Sequence, residues 1–120
     1  MRFWYAMMAE YLAIKGDWKQ AQLMDERASD YDRVGQKWGE IMQHRARSFI
    51  AAAKSAPNWA EVDRHMTDSI RLAEANNDLP ELVVCFKRYG ELLDRKGNHA
   101  DAQIYAARAN SLGRQIGFRI

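Results

Sequence analysis

Apolar residues recur at three-to-four spacing along almost the whole chain, and the rhythm breaks at regular intervals. Tyr5, Met8, Ala9 and Leu12 mark one face of a helix over residues 3–15. Ala21, Met24, Ala28 and Tyr31 mark a second over 18–34, with Gly35 as a left-handed stop. Trp38, Met42, Ala46, Phe49, Ile50 and Ala53 predict a third over 36–55. Val62, Met66, Ser69 or Ile70, and Ala73 predict a fourth over 59–75. Leu82, Phe86, Tyr89, Gly90 and Leu93 predict a fifth over 79–96, and Ala102, Tyr105, Ala106, Ala109 and Leu112 a sixth over 99–116.

The breaks carry as much information as the stripes. Gly16-Asp17-Trp18 returns as Pro57-Asn58-Trp59 and as Gly97-Asn98-His99, each a helix stop followed at once by a helix start. Gln20, Glu61 and Asp101 stand three residues after the caps Asp17, Asn58 and Asn98, in the manner of a capping box. Asp78 with Pro80 and Glu81 starts the fifth helix in the same way. The corners begin at 16, 57 and 97, forty-one and then forty residues apart, a period that marks a helical repeat array. The expected fold is all-α: an α-α superhelix, or solenoid, of three antiparallel helical hairpins and six helices. It forms one domain over 1–120, with hairpins at about 2–34, 36–75 and 79–117.

Aligned on the corners, the hairpins place small residues together. Ala9 falls with Gly90, Ala21 with Ala102 and Ala28 with Ala109, where two helices must approach closely. This pattern resembles tetratricopeptide-type repeats. The third hairpin matches that family's large and small positions through Phe86, Tyr89-Gly90, Leu93, Gly97-Asn98, Ala102, Ala106 and Ala109. The first matches through Tyr5, Met8-Ala9, Leu12, Gly16-Asp17-Trp18, Ala21 and Ala28. The second departs, with Ile50 at a small position and Pro57 at the corner. The resemblance implies a non-catalytic protein-interaction or scaffold module. The longer period is similar to helical arrays in bacterial regulatory and signalling proteins, and a ligand- or peptide-sensing domain of a transcription regulator or signalling ATPase is the alternative it implies.

One helix is apolar on a second side. Trp4, Met7, Tyr11 and Ile14 run beside the first stripe. A helix with two apolar sides is normally covered on both. The expectation is a longer array of which this chain is a fragment, or a homodimer formed through this N-terminal helix, with Trp4, Met7 and Tyr11 as the end or dimer contact.

Composition narrows the function. Eighteen basic and 16 acidic residues are interspersed to a net charge of +2, which argues against generic nucleic-acid or membrane-surface binding. No stretch approaches the roughly 20 apolar residues of a membrane span. The lone Cys85 excludes an intrachain disulfide and fits a reducing compartment, so the expected localisation is cytoplasmic. Cys85 lies among Leu82, Val83, Val84 and Phe86 and reads as core. His44, His65 and His99 lack a second histidine at helical i, i+4 spacing, and Asp68 and Glu61 near His65 are a weak ligand set, so no metal is expected. No phosphate cradle, nucleophile elbow or catalytic set occurs, and neither enzyme activity nor a cofactor is expected.

The register of the repeats assigns a groove. Its expected lining is Phe3, Ala6, Glu10 and Ala13 in the first hairpin, and His44, Arg47, Ala51 and Lys54 in the second. The third contributes Val84, Lys87, Glu91 and Asp94, with Arg88 and Arg95 at the edges. The candidate partner-binding residues are therefore His44, Arg47, Lys54, Lys87, Glu91 and Arg95, facing a protein or peptide, with acidic ligands favoured by the basic middle.

Overall fold

Three helix corners among the described residues are each built from a short polar side chain and a residue that turns left-handed. The computed structural model describes residues 2–30 and 37–117, apart from the side chains at 2, 37 and 38. The expected contributions of Tyr31, Gly35 and the Trp38 side chain lie outside the described residues. The elements are α1 (Arg2–Ile14), α2 (Trp18–Ser29), α3 (Lys37–Ala53), α4 (Trp59–Ala75), α5 (Leu79–Lys96) and α6 (His99–Ile116). The fold is all-α, with no strand among the described residues.

Four caps repeat one geometry. Asp17, Asn58, Asp78 and Asn98 each accept through the side chain from the backbone N–H three residues on, at 3.2 to 3.3 Å. Three corners also share a paired backbone stop. Asp17 N–H donates to Leu12 C=O, Asp78 N–H to Ala73 C=O and Asn98 N–H to Leu93 C=O, at 2.9 to 3.0 Å. The residue between stop and cap is left-handed in each: Gly16, Asn77 and Gly97 at φ of +91, +52 and +94°. The Pro57 corner differs. Proline disfavours helical backbone at the residue before it, so α3 ends at Ala53 rather than at the expected 55, and a five-residue link leads to α4.

The chain divides into two compact units, Met1–Leu72 and Ala73–Ile120. In the first, α1 and α2 form a hairpin and α3 packs against both. Ala6, Ala9, Ala13, Ala21 and Ala28 are fully buried there, and Met42 of α3 joins Ala6 and Ala28 in one apolar cluster edged by Tyr5. α3 and α4 are pinned reciprocally. The buried Ser48 hydroxyl donates to Val62 C=O at 3.0 Å, and the buried Ser69 hydroxyl to Ile41 C=O at 2.8 Å. The order of these partners makes the pair antiparallel. Each carbonyl uses a lone pair left over from its own helix ladder.

In the second unit α5 and α6 pack as one hairpin. Gly90 lies where the two backbones come closest: a Cβ there would meet Ala102 O at 3.2 Å and Ala106 N at 3.5 Å. Tyr105 fills the adjoining space against Phe86 and Tyr89, with ring centroids 5.9 and 4.7 Å away.

Candidate helix-binding groove

The seat that α1 and α2 offer α3 has a small-residue floor and polar edges. Alanines at 6, 9, 13, 21 and 28 leave a trough shallow enough for a third helix to approach. On one edge Glu10 receives Arg45 in a fork, Nε to Oε2 at 2.6 Å and Nη2 to Oε1 at 3.1 Å. This ion pair is almost out of water, at 2 and 12% side-chain exposure. On the other edge Asp25 accepts Gln43 Nε2 at 3.0 Å and Arg47 Nε at 2.9 Å, and the Ser29 hydroxyl accepts Gln43 Nε2 at 3.1 Å.

The α5–α6 hairpin carries the same seat. An open cleft of about 270 Å³ runs between its helices, lined by Lys87, Gly90, Glu91, Asp94, Ala102, Ala106, Ala109 and Asn110. Aligned on the Gly16 and Gly97 corners, these eight residues fall on Ala6, Ala9, Glu10, Ala13, Ala21, Asp25, Ala28 and Ser29. Of those eight, Ala6 and Ala28 pack with Met42 of α3, Glu10, Asp25 and Ser29 bond to α3, and Ala9, Ala13 and Ala21 are the remaining buried small residues of the hairpin. Three of the five floor positions are kept in α5–α6, since Gly90, Ala102 and Ala109 are small and buried. The edges are partly kept. Glu91 repeats Glu10, Asn110 replaces Ser29, and the exposed Ala106 stands where Asp25 would be. Lys87 and Asp94 add charge in place of Ala6 and Ala13.

The residues singled out from sequence are thus dispersed over two units. Lys87 and Glu91 share the α5–α6 groove, where Glu91 accepts from Arg88 Nη1 at 2.7 Å, while Asp94 meets His99 Nδ1 at 2.8 Å at the corner. Arg95 is exposed on α5. Arg47 and Lys54 border a smaller cleft of about 140 Å³ among α2, α3 and α4. There Arg47 is held by Asp25, and the Lys54 ammonium lies 5.5 Å from the Trp18 ring centre. Ala6 and Ala13, read as groove lining, are instead fully buried in the seat of α3, and Ala51 is 4% exposed. Trp4, Met7 and Tyr11 stand 43, 40 and 50% exposed, with Phe3 beside them at 41%, so α1 presents an apolar strip to solvent. Trp4 packs edge-on against Tyr5, and Lys15 caps the Tyr11 ring at 5.0 Å.

His44 does not stand free. Its Nδ1 lies 3.1 Å from Nδ1 of His65 across the α3–α4 contact, and Asp68 joins them, one ligand atom from each lying within 4.8 Å of the others. Burial lowers the pKa of His44 below its ordinary 6.5, with Arg47 adding to the effect. Burial also lowers His65, followed by the charge of His44. Sequence spacing showed only the His65–Asp68 half of this cluster, because His44 stands on a different helix. Arg45 was missed for a related reason: an arginine beside a core stripe reads as solvated until its carboxylate partner on another helix is known.

Compared with family models, with curated proteins and with solved structures, the chain matches none.

Proposed function

We propose that this chain is a non-catalytic, tetratricopeptide-like interaction module, a scaffold element within a larger regulatory or signalling protein, that binds an amphipathic α-helix of a partner in its α5–α6 groove. One observation carries this reading: the eight residues lining that groove stand in register with eight of the first hairpin, five of which touch α3. The chemistry of the guest follows from that of α3. Met42 rests against the alanine floor, and Arg45, three residues later on the same face, reaches the glutamate. A helix bearing a long apolar residue and an arginine at that spacing would set the first over Ala109, against the alkyl stem of Lys87, and the second against Glu91. Lys87, in place of Ala6, favours an acidic residue about one turn before that arginine on the guest. Both clefts are open to solvent, which favours a macromolecular guest over a small molecule enclosed on all sides.

The test uses a fluorescent peptide with the sequence of α3, residues 37–53, titrated with the full chain. Saturable binding is expected. Glu91→Arg should weaken it about 10-fold or more, and a peptide in which the arginine at 45 is replaced by glutamate should lose as much with wild type and recover with Glu91→Arg. Binding indifferent to both charge reversals contradicts the proposal.

A further inference from the structure

The α3–α4 pair holds two imidazoles at hydrogen-bond distance, a little short of the separation that a shared metal ion would impose. His44 Nδ1 and His65 Nδ1 are 3.1 Å apart. Two nitrogens bound tetrahedrally to zinc at 2.0–2.1 Å lie about 3.3 Å apart, so a small opening of this pair admits the ion. Asp68 follows His65 by three residues on α4, which puts its carboxylate on the same helix face, within 4.8 Å of the imidazole nitrogens.

The helices on which the ligands stand are fixed on both sides of the cluster. Ser69 bonds the Ile41 carbonyl three residues before His44, and Ser48 bonds the Val62 carbonyl three residues before His65. The imidazoles are therefore held close together before any ion arrives, as a preorganised site requires.

We propose that His44, His65 and Asp68 form a three-ligand site for a first-row divalent cation of the zinc class, bridging α3 and α4. Two imidazoles and one carboxylate suit zinc, nickel or cobalt and leave at least one coordination position to water or to an outside ligand. The hard cations magnesium and calcium, which prefer all-oxygen shells, are discriminated against. Three cations border the site, of which Arg64 is exposed and paired with Glu61 at 3.1 Å. Arg47 is held by Asp25 at 2.9 Å. Arg71 donates to Asp68 at 2.7 Å, but its side chain is 70% exposed, so release into water is cheap. The site lies within the first unit and does not depend on the α5–α6 groove.

Isothermal titration of the full chain with zinc chloride, with magnesium chloride as control, tests the proposal, and thermal melts with and without zinc supply a second readout. Expected are one zinc per chain, a raised Tm, and no response to magnesium. His65→Gln should abolish the zinc response, and Asp68→Asn, a near-isosteric change at a partly exposed position that leaves the helix intact, should weaken binding by about 10-fold or more. Either of two results would overturn the site: no zinc response in the wild type at millimolar concentration, or a response equal in the wild type and in Asp68→Asn.

Discussion

Arg45 and Glu10 form a forked, nearly water-free ion pair that joins α3 to α1, with Nε and Oε2 2.6 Å apart. It lies beside an alanine floor too shallow to specify a register by itself, and it fixes where along the first hairpin the second one sits. Removing one member of such a pair costs far more than the pair contributes against an apolar replacement, because the survivor loses this forked contact while still buried. Glu10→Ala should lower stability by about 3–5 kcal/mol in urea unfolding. The double replacement Glu10→Leu/Arg45→Met should recover most of that loss.

The repeat relation also predicts a gain. Asp25 accepts from Gln43 and Arg47 of α3, whereas its counterpart in the α5–α6 groove is the exposed Ala106. Ala106→Asp restores the missing edge and should tighten binding of the α3 peptide by about 10-fold, the worth of one charge-assisted contact. Unchanged or weakened affinity in the anisotropy titration would show that the two seats are not equivalent.

Gly90 sets the depth of that groove. A Cβ at this position would stand 3.2 Å from the Ala102 carbonyl oxygen, a backbone atom that cannot rotate aside. Gly90→Val must separate α5 from α6, and a loss of about 1–3 kcal/mol is expected from thermal or chemical unfolding. Peptide affinity should fall with it, since the floor widens.

The two central histidines make stability depend on pH. Both have native pKa values below the ordinary 6.5, held there first by burial, with Arg47 next at His44 and the charge of His44 next at His65, while Asp68, Asp25 and Glu61 pull the other way. Their hydrogen bond needs one nitrogen to donate and the other to accept, which two protonated rings cannot do. The unfolded chain therefore binds more protons than the native one between pH 6.5 and the lowered native values. Stability is full above 6.5 and falls as the pH drops through that window. Urea unfolding at about pH 7.5 and about pH 5.5, with chelator present, should show the lower stability at the acid end, and His44→Gln should reduce the difference.

Much of this molecule was legible before any coordinates. Asp17, Asn58, Asp78 and Asn98 announced four helix starts, and each one caps as read. Local chemistry decides such places, so local sequence is enough. The alignment of Ala9 with Gly90 and of Ala28 with Ala109 was legible too. It could not reveal that the face bearing Ala28 also carries a third helix, because spacing within a hairpin does not say which later helix packs on it. His44, His65 and Asp68 were each visible but were weighed within single helices, whereas their contact depends on how α3 and α4 are phased by Ser48 and Ser69. Arg45 was hidden for the same cause, its burial set by Glu10 on another helix.

Amide chemical-shift mapping of the isotopically labelled full chain, titrated with the α3 peptide, tests the equivalence of the two seats most directly. The predicted result is a set of saturable shifts at Gly90, Glu91, Ala106, Ala109 and Asn110, with the residues around Ala6 and Ala28 unmoved. Shifts confined to the first hairpin, or none at millimolar peptide, would contradict a helix-binding role for α5–α6.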